Sequence, residues 1–101
     1  MVLVSRTESK LQELADALQS LCRIQTKYVV MDFANTNDSV WSNLAEVIGA
    51  LDVGVLVNNV GLSYPHAEFY DKIDDQLAAD IVAINITATN KVGLCWHSTP
   101  V

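Results

Sequence analysis

Residues 53–57 form an apolar run, Val-Gly-Val-Leu-Val, that leads straight into Asn58, Asn59, Val60 and Gly61. No other stretch constrains the fold as strongly. A run with no polar alternation reads as a strand covered on both faces, the condition of strands in a parallel sheet. In open parallel sheets ligands bind at the carboxyl ends of the strands. Two amides and a glycine at that end therefore mark a candidate cofactor edge.

The rest of the chain alternates strands and helices. Residues 1–4 read as a short apolar strand. Thr7 and Ser9 are candidate helix N-caps, and Ser9 with Gln12 has capping-box spacing. Leu11, Leu14, Ala15, Leu18, Leu21 and Cys22 then recur at the helical period and predict one buried face, with Lys10, Glu13, Asp16 and Gln19 in water. Residues 27–33 read as a second strand, carried by Tyr28, Val29 and Val30. Asn35, Asn37 and Asp38 supply a turn and a cap. A helix follows with Val40, Trp41, Leu44, Val47, Ile48 and Leu51 on one side. This order predicts an α/β fold in which helices cross between parallel strands.

Beyond Gly61, a loop over 62–70 leads to Asp74, which caps a last long helix. Its stripe is Leu77, Ile81, Ile84, Ala88 and Val92. Val82 and Ile86 make the other side apolar too, so this helix needs a second cover. A partner subunit is one candidate, giving a homo-oligomer through residues 77–92.

Composition removes several classes of function. Half of the 101 residues (50%) are apolar, enough for a core in one globular unit. Twelve acidic against six basic side chains give a net charge of -6, which argues against a nucleic-acid surface built from clustered cations. No apolar run approaches the roughly 20 residues that a membrane-spanning helix needs. No basic leader or cleavage site follows Met1, so no secretory signal is expected. Cys22 and Cys95 lack metal-ligand spacing and are too few for a disulfide framework, so a reducing compartment and no metal site are expected.

Leu3-Val4-Ser5-Arg6-Thr7, Asp32-Phe33, Asn58-Asn59-Val60-Gly61 and Asn85 together resemble the short-chain dehydrogenase/reductases in motif, spacing and order. The Asn-Asn-Val-Gly form, with Ser5-Arg6-Thr7 and Gly61-Leu62-Ser63-Tyr64-Pro65, is most similar to the branch of very-long-chain 3-oxoacyl-CoA reductases and 17-beta-hydroxysteroid dehydrogenases. The resemblance implies a partial Rossmann fold, a doubly wound parallel sheet, over residues 1–92, with an atypical tail over 93–101. It implies NADP as cofactor and a long-chain acyl-CoA or lipid substrate whose ketone is reduced during very-long-chain fatty-acid elongation. It also implies the endoplasmic reticulum membrane, with the cytoplasm as the alternative because the chain shows no anchor.

Each residue carried over has a chemical reason and a simpler rival. Arg6 follows the first strand, where a carboxylate suits a free ribose 2'-hydroxyl and an arginine suits a 2'-phosphate. Its rival is a solvated arginine at a strand end. In the family the carboxylate equivalent to Asp32 bonds the adenine amino group while Phe33 lies against the ring, and the rival is a turn aspartate. The resemblance implies that Asn58 ties neighbouring strands together and, with Asn59, borders the cofactor, while Gly61 lets the backbone pass close to the adenosine ribose. An asparagine-rich turn is their rival. Asn85, set beside the apolar stripe, is expected to be buried and to need partners. The resemblance makes it the catalytic-site amide that shapes the last helix and holds a water of the proton relay. A helix-interior amide bonded to backbone is the alternative.

Tyr28, Tyr64 and Tyr70 are not candidates for the catalytic phenol. Asp32, Glu68 and Asp74 stand four residues on, where a lysine would be required to lower a phenol's pKa. His66 reads as a surface loop residue. The sequons at Asn37 and Asn85 are discounted, the second because a buried helical amide is no substrate for glycosylation.

No glycine-rich phosphate loop and no Tyr-x-x-x-Lys pair occurs in the sequence. The resemblance places the first before residue 1 and the second after the last helix. The chain is therefore expected to be a central piece of such an enzyme, inactive alone. The strand that resemblance places before residue 1 would lie between the strands at 1–4 and 53–57. Each backbone group left unpaired costs about 1–3 kcal/mol against a total of about 5–15 kcal/mol, so the isolated chain is expected to be molten or aggregation-prone. A steroid or lipid-alcohol dehydrogenase and a non-catalytic module that pairs with an intact reductase subunit are the other readings.

Overall fold

A computed structural model describes residues 1–97, and within it the chain divides into two compact units, Met1–Thr36 and Asn37–Val101. The first unit is one β-α-β turn. Strand β1 (Val2–Ser5) leads into helix α1 (Glu8–Cys22), which returns the chain to strand β2 (Lys27–Val30). The strands pair in parallel, with Val2 opposite Lys27 and Ser5 opposite Val30. Bonds from the Lys27 amide to the Met1 carbonyl (2.9 Å) and from the Met31 amide to the Ser5 carbonyl (2.8 Å) extend the ladder at both ends. Helix α1 packs on both strands. Leu11 and Ala15 on the helix, with Val29 and Met31 on or beside β2, are the buried residues here.

The predicted α/β class and parallel pairing are what the fold shows, with shifts at the ends. Helix α1 starts at Glu8 with Thr7 as N-cap and no side-chain cap bond, so Ser9 lies inside the helix and its capping box does not form. Only part of the predicted stripe is covered. Leu14 is 48% and Leu21 83% exposed, and Cys22 is exposed as well. A two-stranded sheet is too narrow to cover the whole apolar face of a helix of this length. The helix ends at Arg23, whose φ of 55° is the left-handed conformation that glycine usually supplies, with its amide bonded to the Gln19 carbonyl. Strand β2 stops at Val30 rather than Phe33, because the chain turns at Asp32. The Ala34 amide donates to Asp32 Oδ1 (3.0 Å) and the Asn35 amide to the Asp32 carbonyl (3.1 Å).

The second unit is helical. Helix α2 (Asp38–Gly49) is capped by Asn37, whose Oδ1 accepts from the Val40 amide at 2.9 Å. A 3-10 turn (Tyr70–Lys72) precedes α3 (Asp75–Val82), capped by Asp74 through the Leu77 amide at 3.1 Å. The chain then widens into a π turn (Ala83–Ala88) and continues as α4 (Thr89–His97). Helices α2 and α4 pack together. Trp41, Leu44, Ile48, Ile84 and Ala88 are the buried residues, with Leu44 the most enclosed at 1% exposure. Part of each predicted stripe thus supplies this core, while Leu51 of the α2 stripe is 37% exposed and Val82 and Ile86 on the other side of the last helix stay exposed. Residues 93–97 of the predicted tail are helical, and the remainder of that tail lies outside the described residues.

The run at 53–57 departs from expectation. It forms no strand, and Val55 and Val57, expected to be buried, are 79% and 76% exposed. The reason is the absence of a neighbour. A strand exists by pairing its amides and carbonyls, and no other strand lies along this run among the described residues. At its first residue a side chain takes that place, since Trp96 Nε1 donates to the Val53 carbonyl at 3.1 Å.

Candidate functional site

In the first unit the parallel register sets two predicted residues at one edge. Ser5 and Val30 face each other at the carboxyl ends of β1 and β2. Arg6 follows directly on one and Asp32 stands two residues beyond the other, and both are exposed. Asp32 is held by the turn it makes with Ala34. Its bond to that amide uses one carboxylate oxygen, which fills its simpler role as a turn aspartate, and the residue is exposed. Arg6 is an exposed cation at a sheet edge, the position where ligands meet open parallel sheets.

In the second unit the Asn85 side chain meets the chain at Gly61 and Leu62, directly after Asn58 and Asn59 in sequence. Asn85 Oδ1 accepts from the Leu62 amide at 3.0 Å, and Asn85 Nδ2 donates to the Leu62 carbonyl at 2.7 Å. A carboxamide that bonds both main-chain groups of one residue does the work of a neighbouring strand. It fixes the chain one residue after Gly61. Gly61 itself comes close. A Cβ built at Gly61 would sit 3.3 Å from Asn85 Oδ1, tighter than ordinary van der Waals contact.

Asn85 is exposed rather than buried as expected. The cause is the π turn. Widening the helix over Ala83–Ala88 sends Asn85, Ile86 and Thr87 outward in succession while Ile84 and Ala88 stay buried. Ile84, Ile86, Thr87 and Thr89 are β-branched and crowd a regular helix. Thr89 Oγ1 donates to the Ile84 carbonyl at 3.4 Å, the group five residues back. Single-turn π segments are rare and occur often at functional sites. Leu62, which takes part only through its backbone, could not be found from sequence. The run of β-branched residues around Asn85 was the available signal for the π turn.

Two further contacts brace this unit. Lys91 Nζ lies 5.3 Å from the centre of the Trp41 ring, and the Trp96 indole holds Val53 as described above. His66 Nδ1 is 3.0 Å from the Ala67 carbonyl, its own neighbour, and Tyr64 and Tyr70 are exposed. Among the described residues no helix is long and apolar enough to cross a membrane, and no group of three or more His, Cys, Asp or Glu side chains could hold a metal ion.

With this geometry, comparison with known proteins is decisive about kinship. The family model for short chain dehydrogenases matches residues 1–94. The chain belongs to the short chain dehydrogenase family. Among its relatives, a very-long-chain 3-oxoacyl-CoA reductase of Aspergillus terreus is 46% identical over 93 residues, covering 91% of this chain and 26% of the relative. The very-long-chain 3-oxoacyl-CoA reductase-A of Danio rerio is 34% identical over 90 residues, 87% of this chain and 28% of the relative. A human protein named inactive hydroxysteroid dehydrogenase-like protein 1 is 32% identical over 90 residues, 89% of this chain and 27% of that one. The chain thus spans about a quarter of the length of the relatives it matches. No solved structure matches it significantly.

Proposed function

We propose that this chain is the central part of an NADP-dependent short-chain reductase acting on a 3-oxoacyl-CoA of very long chain. The observation that carries the reading is the Asn58–Gly61 segment held by Asn85 through Leu62 in a member of this family. The 46% identity to a named 3-oxoacyl-CoA reductase supports the substrate class. The same reading includes a role in very-long-chain fatty-acid elongation at the endoplasmic reticulum membrane, which rests on the family resemblance of the sequence.

The residues present suit a dinucleotide at the adenosine side. Arg6 would hold the 2'-phosphate through a charge-assisted bond, and Asp32 would accept from the adenine amine through its carboxylate. On the family resemblance alone, Asn58 and Asn59 would border the cofactor and Gly61 would let the backbone approach it. When bound, the cofactor supplies hydride to the substrate carbonyl carbon. Asn85 has both ends of its carboxamide on Leu62, so it serves as a positioning residue that keeps this edge in place.

The test is a pair of titrations, NADPH and NADH, on the native protein and on Arg6→Ala. Loss of one charged hydrogen bond, about 1.5–3 kcal/mol, should weaken NADPH roughly 10- to 100-fold and leave NADH nearly unchanged. Equal weakening of both, or no preference at the start, refutes the phosphate role. Intact mass of the native product, captured with an antibody to residues 8–19, tests the other half. A mass several-fold above 11.1 kDa supports the central-part reading. A product of 11.1 kDa would favour a second reading, a non-catalytic chain pairing with an intact subunit, for which the similarity to a relative named inactive is the supporting observation.

A further inference from the structure

We infer that Gly61 and Asn85 act as one unit: glycine stands at position 61 because the Asn85 carboxamide must pass it to reach Leu62. The cofactor reading accounts for the glycine by close approach of a bound ribose, but the contact seen in the protein is internal. A methyl group at Gly61 would lie 3.3 Å from Asn85 Oδ1, the atom that accepts from the Leu62 amide at 3.0 Å. The same contact is absent at the other three glycines, where a Cβ would meet nothing within 4 Å. Nor does backbone conformation demand glycine, since no glycine among the described residues has a positive φ.

Asn85 has little room to yield. Its Nδ2 donates to the Leu62 carbonyl at 2.7 Å, so a shift that relieves Oδ1 stretches the partner bond. Gly61 is therefore a positioning residue that works through Asn85, and Leu62 is the point where the effect is read. The inference rests on the proposed function only for what the held edge is for; the geometry stands without it.

Amide hydrogen exchange on the full chain tests it. Asn85→Ala should speed exchange of the Leu62 amide roughly tenfold, the loss of one hydrogen bond's protection. Gly61→Ala should speed the same amide several-fold while leaving the Met31 amide unchanged, which separates a local effect from general destabilisation. The double variant Gly61→Ala/Asn85→Ala should exchange at Leu62 no faster than Asn85→Ala alone, because the methyl group then has nothing to displace. Normal protection in Gly61→Ala, or rates that multiply in the double variant, overturns the pairing. If Gly61→Ala alone does not fold, recovery of folding in the double variant supports the pairing and continued failure overturns it. None of these outcomes depends on cofactor binding, so failure here is distinct from failure of the NADP reading.

Discussion

Val2–Ser5 and residues 53–57 are similar in sequence and opposite in outcome. Both are short and rich in valine and leucine, yet the first is a strand with a full parallel partner and the second is an exposed run with no ladder. Intrinsic preference cannot separate them, because β-propensity expresses fit to a neighbouring surface more than backbone preference. What separates them is β2, which α1 brings alongside β1 after 15 residues of helix. No equivalent strand stands beside 53–57 among the described residues. The Trp96 indole at Val53 and the Asn85 carboxamide at Leu62 bond main-chain groups on either side of Asn58–Gly61, in the place of a missing neighbour.

This contrast can be broken most directly by amide exchange. The Met31 amide, bonded to Ser5, should exchange roughly 100-fold or more slowly than the Val55 amide, because local openings range from almost nothing at unpaired segments to global unfolding at paired strands. Comparable protection at Val55 would show a partner for that run. The next effect contrasts leucines. Leu44→Ala, at 1% exposure, should cost about 2–5 kcal/mol in urea unfolding. Leu21→Ala, in the predicted stripe of α1 but 83% exposed, should change stability by less than about 0.5 kcal/mol.

Smaller effects sharpen the contrast at helix ends. Asn37→Ala removes a cap bond and should cost about 1 kcal/mol, while Thr7→Ala removes none and should cost much less. Equal losses would mean that Thr7 caps α1 in solution. Arg23→Gly relieves a left-handed φ of 55° and should stabilise the first unit by up to about 1 kcal/mol, visible as a raised denaturation midpoint. Smallest of all, Lys91→Met should cost about 0.5–1 kcal/mol by removing the cation over Trp41. A loss that shrinks with added salt would mark a charge contribution there.

Several elements were legible because local chemistry and packing agree. Asn37 and Asp74 cap where their side chains said they would, and Trp41, Leu44 and Ile48 bury the face their period marks. Elements that depend on a distant partner were not legible. Leu14 and Leu21 fit the period of α1 but find no cover, and Asp32 cuts β2 short by turning onto Ala34. Asn85 was singled out as an amide that needs partners, and it has them. That those partners are the two backbone groups of Leu62, reached from an exposed position on a π turn, depends on a contact across 23 residues of sequence.

By itself, then, the sequence determined the α/β class, the order of the helices, the side-chain caps at Asn37 and Asp74 and the motif residues of the family. These follow from interactions within a few residues along the chain, where period and hydrogen-bonding capacity act directly. Tertiary structure alone decided which apolar run becomes a strand, which face of each helix is covered, and why Gly61 and Asn85 belong together. Those outcomes require groups far apart in sequence to meet, and whether they meet depends on the neighbours that surround them rather than on the residues themselves.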